Sequence, residues 1–382
     1  MNYWKRALSI NIKIILTLIL VAAIFFLSPF GRPIYKTFML VSETAPNFPI
    51  KPLNLLTKDP RVEQIEFKLG NRDVNAALYR PAGEGKHPAI IFTLGILFSR
   101  DNPNVVKFAQ ALARTGYVVL VPDLPDFLTG FVWTDSIDTL IASVEYLDGQ
   151  EFVNKDKIGF TGFCVGGSAA IIASENEKIA KKVNFIATIS PYFDLSDLTR
   201  AALTRTDISG SEKINWRPAK LTIETVNLGF LNYINNEEEK KFLKTNLDIN
   251  TNIQLDIDRY NDLSLESQII YNFLSNTEFN KFDHYKSKLP QELQNLMVEL
   301  SPSTKINNLE AKLFILNDKK DTFVPKNEGR NLVSKLPKNQ VYFKEVDSFE
   351  HVNPATDLPR WAAIRQLGSL GTFLYTFIKE TS

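Results

Sequence analysis

Between residues 88 and 191, uninterrupted apolar runs alternate with stretches of helical period, and few folds accommodate that pattern. A strand with one face in water alternates apolar and polar residues, whereas a strand that is apolar throughout must be covered on both faces. The runs 88–95, 117–123, 157–163 and 183–191 are of the second kind. The segments 104–114, 134–147 and 167–179 between them have helical spacing, and Gly116 closes the first as a glycine past a helix C-terminus does. The expectation is an α/β fold with a mostly parallel sheet flanked by helices.

Ahead of these runs, 61–70 and 74–81 alternate and meet at Gly70-Asn71-Arg72-Asp73, which predicts an antiparallel hairpin at a sheet edge. After Tyr192 the alternation stops, and 195–305 reads as a helical lid inserted after strand six, without a strand signal. Helices are expected at 223–234 and 265–276, and the charged run 235–241 between them reads as a solvated helix face. Strand patterns resume at 311–316 and 340–346, and a long helix over 358–379 closes the chain. The core is thus divided into 61–194 and 306–382 around the lid.

The N-terminus follows another rule. Residues 14–30 carry no charge and, with Leu8, Ile10 and Ile12, make an apolar stretch of about 20 residues, enough to cross a hydrocarbon layer of ~30 Å as a helix. Phe26-Leu27-Ser28-Pro29-Phe30 has no small-residue cleavage pattern, so 1–32 is expected to be an uncleaved single-pass transmembrane anchor. Lys5, Arg6 and Lys13 precede the span and Arg32 and Lys36 follow it, a bias that puts the N-terminus in the cytoplasm and the body outside. Residues 33–60, rich in Pro, Thr, Asn and Lys, read as a surface linker.

A formal net charge of +1 and the lack of a basic stripe argue against nucleic acid as a partner. One cysteine, Cys164, excludes an intramolecular disulfide and a cysteine-rich metal site, and no metal or organic cofactor is expected.

That cysteine stands in Gly162-Phe163-Cys164-Val165-Gly166-Gly167, between an apolar strand and a helix. This is the pattern of a nucleophile elbow, in which small neighbours let a strand turn sharply into a helix with the nucleophile at its apex. The positive end of the helix favours a reactive thiolate there. The backbone N–H of Val165 is the expected first oxyanion donor, and that of Ile96, in Thr93-Leu94-Gly95-Ile96-Leu97 after the third strand, the second. With three histidines in the chain, His87 precedes the elbow and His284 falls in the lid, which leaves His351, after the last strand, as general base. Asp321, in Asp321-Thr322-Phe323-Val324-Pro325, is the expected acid; Asp318 and Asp194 are its competitors.

Taken together, the Gly-Phe-Cys-Val-Gly-Gly elbow, Asp321 before Thr-Phe-Val-Pro, and His351 resemble the dienelactone hydrolase family within the α/β-hydrolases. The resemblance runs from about Arg61 to the C-terminus, apart from the lid. It implies hydrolysis of a small-molecule ester or lactone through an acyl-thiol intermediate. The glutamate that family members carry after the third strand has no counterpart in Thr93-Leu94-Gly95-Ile96. An acyltransferase or peptidase would use the same three residues, and a membrane-tethered binding protein would use none.

Overall fold

The computed structural model describes residues 16–17, 20–21, 24–26, 28–44, 51–247, 255–347, 349–350, 353–354 and 360–382. Its strands are β1 (Arg61–Leu69), β2 (Arg72–Arg80), β3 (His87–Thr93), β4 (Val118–Pro122), β5 (Val153–Phe163), β6 (Val183–Ile189), β7 (Thr206–Ser209), β8 (Glu212–Asn215), β9 (Lys312–Asp318) and β10 (Val341–Val346), followed by the short pair β11 (Phe349–Glu350) and β12 (Asn353–Pro354). The main sheet runs β1-β2-β4-β3-β5-β6-β9-β10. β2 is antiparallel to both its neighbours, and every later pair is parallel.

Two apolar layers cover the sheet. On one side lie α5 (Thr134–Asp148) and α6 (Val165–Ser174), after α1 (Gly31–Thr44), α2 (Pro52–Leu56), α3 (Pro103–Arg114) and α4 (Pro125–Thr129) in chain order. Ile137, Leu140, Ala170 and Ile171 of α5 and α6 pack there with Ala89 and Ile91 of β3. The opposite layer takes Ile90 and Phe92 of the same strand, with Leu40 of α1, Leu112 of α3 and Phe377 of the closing helix. Alternate residues of one strand therefore enter different cores, which is why the strand is apolar throughout.

Local signals set the helix ends. Asn102 accepts the Asn104 N–H at 2.9 Å at the start of α3, Pro103 occupies its first turn, and Gly116 takes φ 103° past its end.

Between β6 and β9 the chain forms α7 (Leu195–Thr204), β7 and β8, then α8 (Lys220–Leu231), α9 (Glu237–Asn246), α10 (Ile257–Asn261), α11 (Leu265–Leu274), α12 (Phe282–Lys286) and α13 (Gln291–Glu299). The expectation of helices alone needs correction, because β7 and β8 pair as a hairpin turned at Gly210, φ 62°. Four-residue strands, Thr-Asp-Ile-Ser and Glu-Lys-Ile-Asn, are too short to display a period. The charged run is the exposed start of α9, capped by Asn236.

The stretch read as a linker is also different: it contains α1 and α2, which bury Met39, Leu40 and Leu53. Its helical period is masked because apolar residues occupy the outward face of α1 as well. No helix of the described residues is long and apolar enough to cross a membrane, and part of 14–30 lies outside them. After β9 come α14 (Lys326–Ser334) and α15 (Arg360–Thr381), whose Thr381 meets Tyr117 Oη at 2.6 Å.

Candidate active site

β5 ends in the elbow. Cys164 takes φ 52° and ψ −127°, a conformation that costs a side-chain-bearing residue about 1–3 kcal/mol. Its N–H donates to the Ile189 oxygen at 2.8 Å, and its own oxygen accepts from Gly167 N at 3.0 Å and Ser168 N at 3.2 Å. The surrounding glycines are demanded by space. A Cβ on Gly162 would stand 2.0 Å from Thr93 Oγ1, on Gly166 2.4 Å from the Leu94 oxygen, and on Gly167 1.8 Å from Thr188 Oγ1. The elbow is wedged between the end of β3 and β6, with the thiol half-buried at its apex.

Val165 begins α6, where a helix leaves its first N–H groups without intrahelical acceptors. The loop after β3 lies against the elbow, since the Thr93 and Leu94 oxygens are what a side chain on Gly166 would strike. In this loop Gly95 to Phe98 form a turn, closed by Phe98 N to the Gly95 oxygen at 3.4 Å, with Leu97 at φ 64°. Leu97 N is bonded to the Phe127 oxygen at 2.9 Å, while Ile96 N–H has no backbone acceptor among the described residues. Beside the loop, Leu94, Phe98, Leu124, Phe127 and Leu128 line an apolar crevice bordered by the Arg100–Asp123 ion pair at 3.3 Å.

Asp321 lies in the loop after β9 and is 4% exposed. Its Oδ1 accepts from Phe323 N at 2.7 Å and Val324 N at 3.0 Å. Asp318 is buried at the end of β9, with Oδ1 accepting from Lys320 N at 2.9 Å. Asp194 serves the inserted segment: it caps α7 through Ser196 N and Asp197 N, and its Oδ2 accepts from Ser303 Oγ at 2.6 Å.

Because β5, β6 and β9 are consecutive and parallel, Cys164 and the Asp321 loop leave the same edge of the sheet two strands apart, about 10 Å at the usual strand spacing. That edge, at the carboxyl ends of parallel strands, is where this class of sheet binds ligands. His351 lies outside the described residues; the chain leaves β10 at Val346, paired with Asp318, shortly before it. His87 opens β3 at the opposite edge, with Nε2 3.3 Å from the Gly83 oxygen, and His284 sits on α12 against the Tyr285 ring. Among the described residues no three His, Cys, Asp or Glu side chains gather as metal ligands.

Three residues absent from the sequence expectations brace this edge. Trp216 donates its indole N–H to the Asp321 oxygen at 2.9 Å. Tyr192 is fully buried beneath the elbow: its oxygen accepts from Ser168 Oγ at 2.8 Å and its hydroxyl donates to the Leu300 oxygen at 2.8 Å. Burial, then the nearby Cys164, Glu328 and Asp194, push its phenol well above the usual range. Glu328 Oε2 accepts from Phe193 N at 2.7 Å and Asp194 N at 2.9 Å. Burial raises its carboxyl to about 8, against the lowering effect of those two N–H groups. A buried tyrosine and a buried glutamate have no local signature, although Pro191-Tyr192-Phe193 directly after β6 marks the place.

Residues 128–204, which include the elbow, match the dienelactone hydrolase family model. A Bradyrhizobium protein named as a 2-oxo-3-(5-oxofuran-2-ylidene)propanoate lactonase is 31% identical over 146 residues, 34% of this chain. The chain spans 58% of the length of that curated relative. Among solved structures, a puromycin-hydrolysing peptidase of Mycobacterium tuberculosis aligns with TM-score 0.51 and 14% identity, over 88% of this chain and 40% of the peptidase. A Bacteroides ovatus protein assigned as a dipeptidyl aminopeptidase IV aligns with TM-score 0.50 and 12% identity, over 85% of this chain and 36% of that one. These two likenesses concern the fold. The chain has an α/β-hydrolase-like fold, and the segment that holds its elbow matches the dienelactone hydrolase family model.

Proposed function

We propose that the chain hydrolyses a carboxylic ester or lactone with Cys164 as nucleophile, His351 as general base and acid, and Asp321 as the residue that orients His351. The observation that carries this reading is the strained Cys164 backbone, held by three glycine contacts at the apex of the elbow. The likeness to a named lactonase supports the substrate class.

Cys164 Sγ bonds to the carbonyl carbon as His351 takes the thiol proton, and the charge on oxygen meets the N–H groups of Val165 and Ile96. Collapse breaks the carbon–oxygen bond to the leaving alkoxide, which His351 protonates. A water, deprotonated by His351, then attacks the acyl-thiol, and the acid leaves with Cys164 restored. In a lactone the alkoxide and acyl group are one molecule, so a single hydroxy acid results.

The test is turnover of p-nitrophenyl esters and simple lactones by the full chain beside Cys164→Ala, with a thiol-reactive probe. Turnover and rapid labelling lost in the mutant are expected. Equal low turnover, with slow labelling of the wild type, would favour a non-catalytic binding protein.

The charge-free run 14–30 also supports a single-pass membrane anchor with the body outside the cytoplasm. Full-length chain recovered in the soluble fraction with this segment intact would defeat it.

A further inference from the structure

The face that α1 turns to solvent is apolar. Phe30 just before the helix is 80% exposed, and Ile34 and Phe38 are 42% and 52% exposed. Within the helix the spacing of four puts Ile34 and Phe38 on one side, while Thr37 and Leu40 are buried against the body. A surface helix of a protein surrounded by water normally carries polar residues on that side. On α2, which packs against α1, Leu55 and Leu56 are 78% and 64% exposed.

The residues before α1 indicate what covers this face. Leu16, Leu20 and Ile24 are likewise exposed at a spacing of four, within the charge-free run. A tight corner joins this run to α1. Ser28 Oγ donates to the Phe25 oxygen at 2.6 Å and accepts from Gly31 N at 3.1 Å, and Arg32 N donates to the Ser28 oxygen at 2.9 Å. A Cβ on Gly31 would stand 2.0 Å from the Phe25 oxygen, so the corner requires glycine. Whatever medium receives the apolar run must receive the outer face of α1 immediately beside it. Arg32, exposed at the corner, suits phosphate headgroups.

We propose that α1 is an interfacial helix, lying in the boundary between headgroups and acyl chains with Phe30, Ile34 and Phe38 immersed, so that the hydrolase body is docked on the bilayer. This rests on the membrane reading above and goes beyond it, because an anchor alone would leave the body free to swing. Helices of this kind bury their apolar face about 5–10 Å into that boundary.

The test uses the full chain in a Cys164→Ala background, with a fluorophore sensitive to polarity attached at Phe38→Cys or, for comparison, at exposed Glu84→Cys in the turn before β3. In phosphatidylcholine and phosphatidylglycerol vesicles carrying an acyl-chain spin label, a blue shift and about twofold stronger quenching are expected at position 38 than at 84. Vesicle-bound protein with a water-like spectrum at 38 would overturn the inference while leaving the anchor standing. Failure to sediment with vesicles would overturn both. A blue shift without spin-label quenching, together with cross-linking between copies at 38, would assign the face to a second copy of the chain and likewise defeat the proposal.

Discussion

Trp216, on the inserted segment, holds the backbone of Asp321 through its indole N–H at 2.9 Å. Two more bonds follow the same path: Ala219 N to the Thr322 oxygen at 2.6 Å and Thr222 Oγ1 to the Phe323 oxygen at 3.1 Å. The inserted segment therefore sets the position of the proposed catalytic acid. Trp216→Phe keeps most of the ring and removes the donor, worth about 1 kcal/mol. A fall in kcat of roughly fivefold to tenfold is expected, with little change in KM or melting temperature. A lowered melting temperature with unchanged kcat would make Trp216 a packing residue only.

Strain at Cys164 should be measurable as stability. Cys164→Ala and Cys164→Gly both remove the thiol, but only glycine relaxes at φ 52°. Denaturant unfolding is expected to show the glycine variant about 1 kcal/mol more stable than the alanine variant, after the greater unfolded-state freedom of glycine is subtracted. Equal stabilities would mean the elbow stores no strain.

Gly167 tests the close packing of α6 on β6. Alanine there would meet Thr188 Oγ1 at 1.8 Å, and the expected cost is about 2–3 kcal/mol. Thr188→Ala removes the obstructing oxygen, which has no hydrogen-bond partner among the described residues. The double mutant should therefore recover roughly half of the loss. Additive effects in denaturant titrations would contradict the contact.

Glu175 ends α6 and is 3% exposed, with Oε1 unpartnered among the described residues. Burial lifts its carboxyl from the ordinary 4.5 to about 9, with nearby Lys305 opposing the rise. The folded state thus keeps a proton that the unfolded state releases. This contribution to stability is fully present below about pH 4.5 and is lost as pH rises toward about 9. Glu175→Gln should match the wild type near pH 4 and exceed it by a few kcal/mol, on the order of 2–4, near pH 9. Parallel stability curves across that range would refute the assignment.

How much of this was legible beforehand depended on whether a signal was local. The run 183–191 became β6 at Val183–Ile189 because strands covered on both faces are apolar wherever they are read. β5 starts at Val153, before the expected residue 157, because Asn154 to Lys157 is polar and lies mostly toward solvent. α1 shows no helical period because apolar Ile34 and Phe38 stand on its outward face while Thr37, Ser42 and Glu43 are buried beside Met39 and Leu40, and β7 and β8 are too short for any period. The elbow was legible because its glycines and cysteine are neighbours in sequence. Trp216 was not, because its partner lies 105 residues away and an indole N–H bond leaves no trace in spacing.

The inserted segment also begins and ends at one place. Leu195 N donates to Ser301 Oγ at 2.8 Å, Ser303 N to the Phe193 oxygen at 2.9 Å, and Ser303 Oγ to Asp194 Oδ2 at 2.6 Å. A stem zipped in this way confines the closure entropy of a long excursion to one junction at the sheet. The excursion is thus pinned twice, at its stem and again at the Asp321 loop. A graft cut at 194 and 302 would keep the Ser303 half of this junction but lose the bonds of Trp216, Ala219 and Thr222 to the Asp321 loop, so the roof over the sheet edge and the position of the proposed acid would change together.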